Sequence, residues 1–164
     1  MSEIDCTPEI LRNKGIPCEF AVVIRGEDDW VKKYDETTND FETETKFLRF
    51  NHNSIADIED LWDGLPNWQI ALEEKPVSTM RKTLAILLSV SNDEVGAMMI
   101  EGRLPEYNNA IGVSWAIANG VDPTIASRLI QQTKVTVDAQ INIINQEMDN
   151  LIKTLEEDTP GESQ

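Results

Sequence analysis

The chain has 164 residues, of which 14 are Lys or Arg and 30 are Asp or Glu, giving a formal charge of −16. Such a balance argues against gripping a nucleic-acid backbone or an anionic membrane surface, because both tasks need a dense basic run and none is present. With 40% hydrophobic residues the chain still has the material for a packed core, which sets it apart from a disordered acidic tract.

The acidity is uneven. Residues 1–45 carry a net −7, residues 46–104 a net −3 and residues 105–164 a net −6. Charge gathered at the ends keeps copies soluble and apart by self-repulsion, or offers a face to a basic partner. Cys6 and Cys18 form no C-x-x-C pair, and His52 is the single histidine, so metal or cofactor binding is not expected. The acidic start MSEIDCTPEI lacks the apolar region of a secretory signal, and no stretch approaches the roughly 20 apolar residues of a membrane span. A reducing, intracellular setting is the expectation.

In chain order, the first 17 residues, punctuated by Pro8, Gly15 and Pro17, read as a loose leader. Cys18 to Arg25 (CEFAVVIR) is rich in β-forming residues and reads as a strand. Trp30 to Thr45 is polar, acidic and without a period, and reads as a long loop; Thr45 to Phe50 (TKFLRF) is a second strand able to pair with the first. Two strands alone are marginal in water, so they must pack on helices. Asn53 or Ser54 is placed to cap a helix whose apolar face is Ile55, Ile58, Leu61, Trp62 and Leu65. Gly64 and Pro66 interrupt it, and Asn67 is placed to cap a continuation through Trp68, Ile70 and Leu72.

Pro76 and Ser78 open the next helix, striped by Met80, Leu84, Leu87 and Leu88. Ser91-Asn92-Asp93-Glu94 is a capping box leading a helix with Val95, Met98 and Met99, closed by Gly102. Leu104-Pro105 starts another helix that Asn119-Gly120 stops, and Asp122-Pro123 opens the last. There Val137, Ile141, Ile144, Met148, Leu151 and Leu155 follow spacings of 4, 3, 4, 3 and 4, a heptad seam. A helix from Pro123 to Asp158 would span roughly 54 Å at 1.5 Å per residue, more than a domain of this size needs. The predicted organisation is therefore an acidic N-terminal segment (1–44) with one short strand, a helical core (45–121), a long C-terminal helix (122–158) and a tail (159–164). The fold class is mostly α, a compact helical domain with a small two-stranded β element.

Catalytic material is sparse. Acid–base or nucleophilic chemistry needs a histidine, a reactive cysteine or paired carboxylates in a cleft, and His52 in Asn51-His52-Asn53 reads as a capping or turn residue. Asp57, Asp60 and Asp63 stack at i,i+3 but lack the spacing of a calcium loop, and a solvated helix face is the simpler reading. No enzyme is expected. Trp62, Leu65 and Trp68 flank the Asp63–Pro66 break, and Met98 and Met99 add adaptable apolar surface, so these five are the candidate partner-binding residues, with core packing as the alternative. Ile141, Ile144, Met148 and Leu151 are the candidate self-association residues, for a possible homo-oligomer.

The short strand Lys46–Phe50 followed by the helix Asn53-Ser54-Ile55-Ala56-Asp57-Ile58-Glu59-Asp60-Leu61, then by a helix at Met80–Val90 and a capped one at Ser91–Gly102, resembles the tail assembly chaperones of long-tailed bacteriophages. The resemblance covers about residues 45–133 and lies in the order of parts rather than in an invariant motif. It implies a non-enzymatic protein made in the cytoplasm of the infected bacterial host. Such a protein holds the tape measure protein, often with the tail tube protein, until the tube polymerises, and is absent from the mature virion. The alternatives on composition are a structural tail or head component retained in the virion, or an acidic mimic of nucleic acid.

Overall fold

The computed structural model describes residues 7–101 and 103–157, without the side chains of residues 133–141 and 157. Cys6, Gly102, the tail at 159–164 and the side chains of Val137 and Ile141 therefore lie outside the described residues.

The chain opens with a short helix, α1 (Pro8–Asn13), where a loose leader was expected. Thr7 caps it by accepting the Ile10 N–H at 3.3 Å, and Pro8 sits in its first turn, where a missing N–H costs nothing. Gly15 follows at φ +104, and a Cβ there would collide with the Leu48 carbonyl. Only glycine lets the chain turn this close to its neighbour.

Strand β1 (Ile16–Ala21) then runs through the core and pairs antiparallel with β6 (Thr43–Leu48), from Ile16 opposite Leu48 to Ala21 opposite Thr43. The expected pairing of the two apolar runs is therefore present, two to four residues away from the expected boundaries. The intervening stretch is not a loop. It folds into two further antiparallel ribbons, β2 (Val23–Arg25) with β3 (Trp30–Lys32), and β4 (Tyr34–Asp35) with β5 (Asp40–Phe41).

The three ribbons meet at Val22, Lys33 and Glu42, whose backbones close a ring of hydrogen bonds. Val22 N–H donates to Glu42 O (2.8 Å), Glu42 N–H to Lys33 O (2.9 Å) and Lys33 N–H to Val22 O (2.8 Å). A three-way junction of this kind would otherwise strand polar backbone groups where the ladders end. The two outer ribbons expose Ile24, Val31, Tyr34 and Phe41. Because little of them is buried, they show no alternation of polar and apolar residues, and the polar stretch read as loop.

Helices make up most of the rest. Asn51, two or three residues ahead of the expected caps, caps α2 (His52–Trp62) by accepting the Ser54 N–H at 2.9 Å. The Ser54 side chain is buried instead. Asp63 (φ 57) and Gly64 (φ 125) turn the chain sharply into α3 (Leu65–Glu74), so Pro66 begins a helix rather than ending one. Asn67 lies inside α3 and donates its amide back to the Asp63 carbonyl (3.1 Å), in place of the expected capping role.

Next come α4 (Pro76–Leu88), α5 (Asn92–Met98) and α6 (Leu104–Ala118). Ser91 caps α5 by accepting the Glu94 N–H at 3.0 Å, as the capping-box pattern predicts. Asp122 accepts the Thr124 N–H (2.8 Å) at the start of α7 (Pro123–Glu157), which packs its first turns, around the buried Ala126, on α6 and α1.

Helix α6 organises the core. Its buried Ser114 donates to the Leu48 carbonyl of β6 (3.2 Å), and its buried Tyr107 donates to the Glu19 carbonyl of β1 (2.7 Å) while stacking on Phe20 at 4.7 Å between ring centres. Arg103 adds ion pairs to Glu106 (2.9 Å) and Glu19 (3.8 Å). One continuous core links Leu11, Ile16, Phe20 and Leu48 with Ile58, Trp68, Leu84, Val95 and Ile111. The acidic N-terminal segment thus contributes to the core of the helical region. The coarse expectation, a mostly helical protein with a small antiparallel β element, matches this architecture.

Candidate functional site

The five expected partner-binding residues do not form one surface. Trp68 is 3% exposed and Met98 1%, so both are core residues and Met98 offers nothing to a partner. Trp62, Leu65 and Met99 are half-buried and pack against the same core. The physical reason is local: the turn at Asp63-Gly64 folds α3 back on α2, so the aromatic and aliphatic side chains around the break face inward. Asp57, Glu59, Asp60 and Asp63 are all exposed, as a solvated face. Among the described residues no group of three or more His, Cys, Asp or Glu is placed to hold a metal ion.

One edge of Trp68 nevertheless reaches a groove of about 430 Å3 between α3 and α6. Trp68, Gln69 and Leu72 form one wall, and Asn108, Gly112 and Trp115 belong to the other. Gly112 opens onto the groove: a Cβ built there meets nothing within 4 Å. A glycine in the interior of a helix costs about 0.8–1 kcal/mol relative to alanine, and here it leaves an open trough on the α6 surface. Eight of the fifteen residues of α6 are Leu, Ala, Ile, Val or Trp, more than one core-facing stripe requires.

The aromatic wall is held in place. Phe50 meets Trp68 and Trp115 edge-on at 6.2 and 5.5 Å, and the two tryptophans lie 5.4 Å apart. Trp68 Nε1–H donates to Thr83 Oγ1 (3.0 Å), and that hydroxyl donates onward to the Thr79 carbonyl (2.8 Å). Thr79 Oγ1 in turn donates to the Ala71 carbonyl (3.1 Å), so α3 is tied to α4 by a buried relay. Buried polar groups satisfied in this way fix a single arrangement.

None of the residues lining the groove is ionisable. On a chain of charge −16 that is a selective absence. The groove offers apolar contact and the amides of Gln69, Asn108 and Asn109, with no acid, base or nucleophile for chemistry. It suits an uncharged, largely apolar element. Of the lining residues, Trp68 stands out in the sequence, whereas Leu72, Asn108 and Gly112 do not mark themselves as a site. The available signal was Gly112, a mid-helix glycine with no turn to make.

Comparison with family models, with curated proteins and with solved structures returned no match for this chain. Among the described residues no helix is long and apolar enough to cross a membrane.

Proposed function

We propose that this protein is a tail assembly chaperone of a long-tailed bacteriophage, acting by binding and without catalysis. It holds an apolar helical stretch of the tape measure protein in the α3–α6 groove and keeps that client soluble until the tail tube forms around it. The observation that carries the reading is the groove itself: a preorganised Trp68–Trp115 wall without an ionisable lining residue, on a strongly acidic protein. A preformed apolar groove takes a helix without a large ordering cost.

The order of parts supports the same reading, since β6, α2, α4 and α5 follow one another as in the family that the sequence resembles, with α3 inserted between α2 and α4. The reading further entails that the tail tube protein is a possible second client, and that the protein works in the host cytoplasm and leaves before the virion is complete. Co-purification tests it: the tape measure protein of the same genome should elute with this chain as a soluble complex. Separate elution, with the client aggregated, would sink the proposal.

A further inference from the structure

A smaller cavity, of about 180 Å3, lies between the end of α1, the end of β6 and the last turns of α6, and it does not depend on the client reading. Leu11, Ile16, Leu48 and Phe50, all buried, give it an apolar floor. Pockets that take drug-sized ligands hold roughly 300–1,000 Å3, so this one suits a body no larger than a short acyl chain.

Its charges run against those of the whole chain. Acidic residues outnumber basic ones 30 to 14, yet the lining holds two exposed arginines, Arg12 and Arg49, and no acid. An arginine in the last turn of a helix ordinarily answers the carbonyls there. That end of α1 is already served: Lys14 and Gly15 donate their N–H groups to the Ile10 carbonyl (2.7 and 3.2 Å), and Arg49 Nη1 donates to the Asn13 carbonyl (3.1 Å). Among the described residues Arg12 makes no hydrogen bond or ion pair, and Glu9, one turn earlier on α1, is not paired with it. Arg49 keeps the donors of its other two guanidinium nitrogens. Ser114 commits its hydroxyl hydrogen to the Leu48 carbonyl (3.2 Å), so the unspent side-chain donors of the lining are the two guanidinium groups.

A planar carboxylate matches the guanidinium fork, and the apolar floor rewards a hydrocarbon behind it. An ammonium would be repelled, an alcohol would lack the charge-assisted bonds, and a bare phosphate would leave the floor uncovered. We propose that this cavity binds a small free monocarboxylate with a short apolar body. Arg12 and Arg49 hold its carboxylate, and its hydrocarbon lies on the floor formed by Leu11, Ile16, Leu48 and Phe50.

Titration of the full wild-type chain with hexanoate in the millimolar range, followed by amide NMR, tests this without any variant. Hexanoate should shift the signals of Gly15 and Ser114 saturably, while 1-hexanol, hexylammonium and inorganic phosphate should bind about tenfold more weakly or not at all. Arg12→Gln, at an exposed side chain without a partner, should keep the circular dichroism and melting temperature of wild type and weaken hexanoate about tenfold or more. No saturable shift with hexanoate would overturn the proposal. Equal affinity for 1-hexanol would reduce the site to an apolar hollow, and equal affinity for phosphate to a general anion site; either overturns it. Unchanged hexanoate binding by Arg12→Gln would overturn the role given to that arginine. Tighter binding of N-acetylglycylleucine than of hexanoate would overturn the free acid in favour of the chain terminus of a peptide.

Discussion

Two buried polar side chains carry much of the specificity of this fold. Trp68 is held by its indole N–H on Thr83 as much as by packing. Trp68→Phe removes that donor and part of the ring, and should cost about 1–3 kcal/mol, combining a hydrogen bond with lost core contact. Urea unfolding monitored by circular dichroism reads the loss as a lower midpoint with an unchanged slope.

Tyr107 is the other. Burial against Phe20 raises its phenol well above the usual range near pH 10, because the charged phenolate would lose its hydration. Its raised folded pKa means that the native state keeps a proton which the unfolded chain gives up. The contribution to stability is therefore complete below about pH 10 and lost as pH rises beyond it. In a Tyr34→Phe background Tyr107 is the sole tyrosine, and its ultraviolet titration should show no phenolate until the protein unfolds in alkali. A reversible titration at the ordinary value with the fold intact would contradict the burial described.

At the scale of elements, Gly112 stands in the groove lining with open space above it. Gly112→Ala should stabilise the protein by about 0.8–1 kcal/mol, since alanine is the better helix former and the space is open. Gly112→Leu should fold equally well while filling the trough. Thermal unfolding of both variants separates a structural glycine from a functional one: destabilisation by the alanine change would show that Gly112 serves packing instead.

Local signals were the legible ones. Ser91 with Glu94, Asp122 with Pro123, and Asn119-Gly120 each satisfy or terminate a helix end through neighbours a few residues away, so the sequence shows them directly. Helix α1 carries the same Thr-Pro-Glu opening, but at six residues it lacks the periodic stripe that announces a longer helix. The outer ribbons were hidden for a different reason. Their partners are set by the backbone ring at Val22, Lys33 and Glu42, which leaves no trace in side-chain pattern. The site was half visible: Trp68 stands out as an aromatic at a helix break, whereas its opposite wall lies about forty residues further on in α6 and meets it only through the fold.

For the whole molecule, the charge of −16 takes on a definite meaning beside these surfaces. Acidic side chains cover the exposed face of α2 and much of the outer ribbons, whereas the α3–α6 groove has no ionisable lining residue. Self-repulsion keeps most of the surface from associating, and the groove is a place without it. The central claim, that the groove holds the client, is tested most directly by the fraction of tape measure protein recovered soluble from cells making it with wild-type chain, with Gly112→Leu, or alone. The account predicts a soluble client with wild type and an aggregated one in the other two cases. Equal recovery with Gly112→Leu and wild type would contradict it.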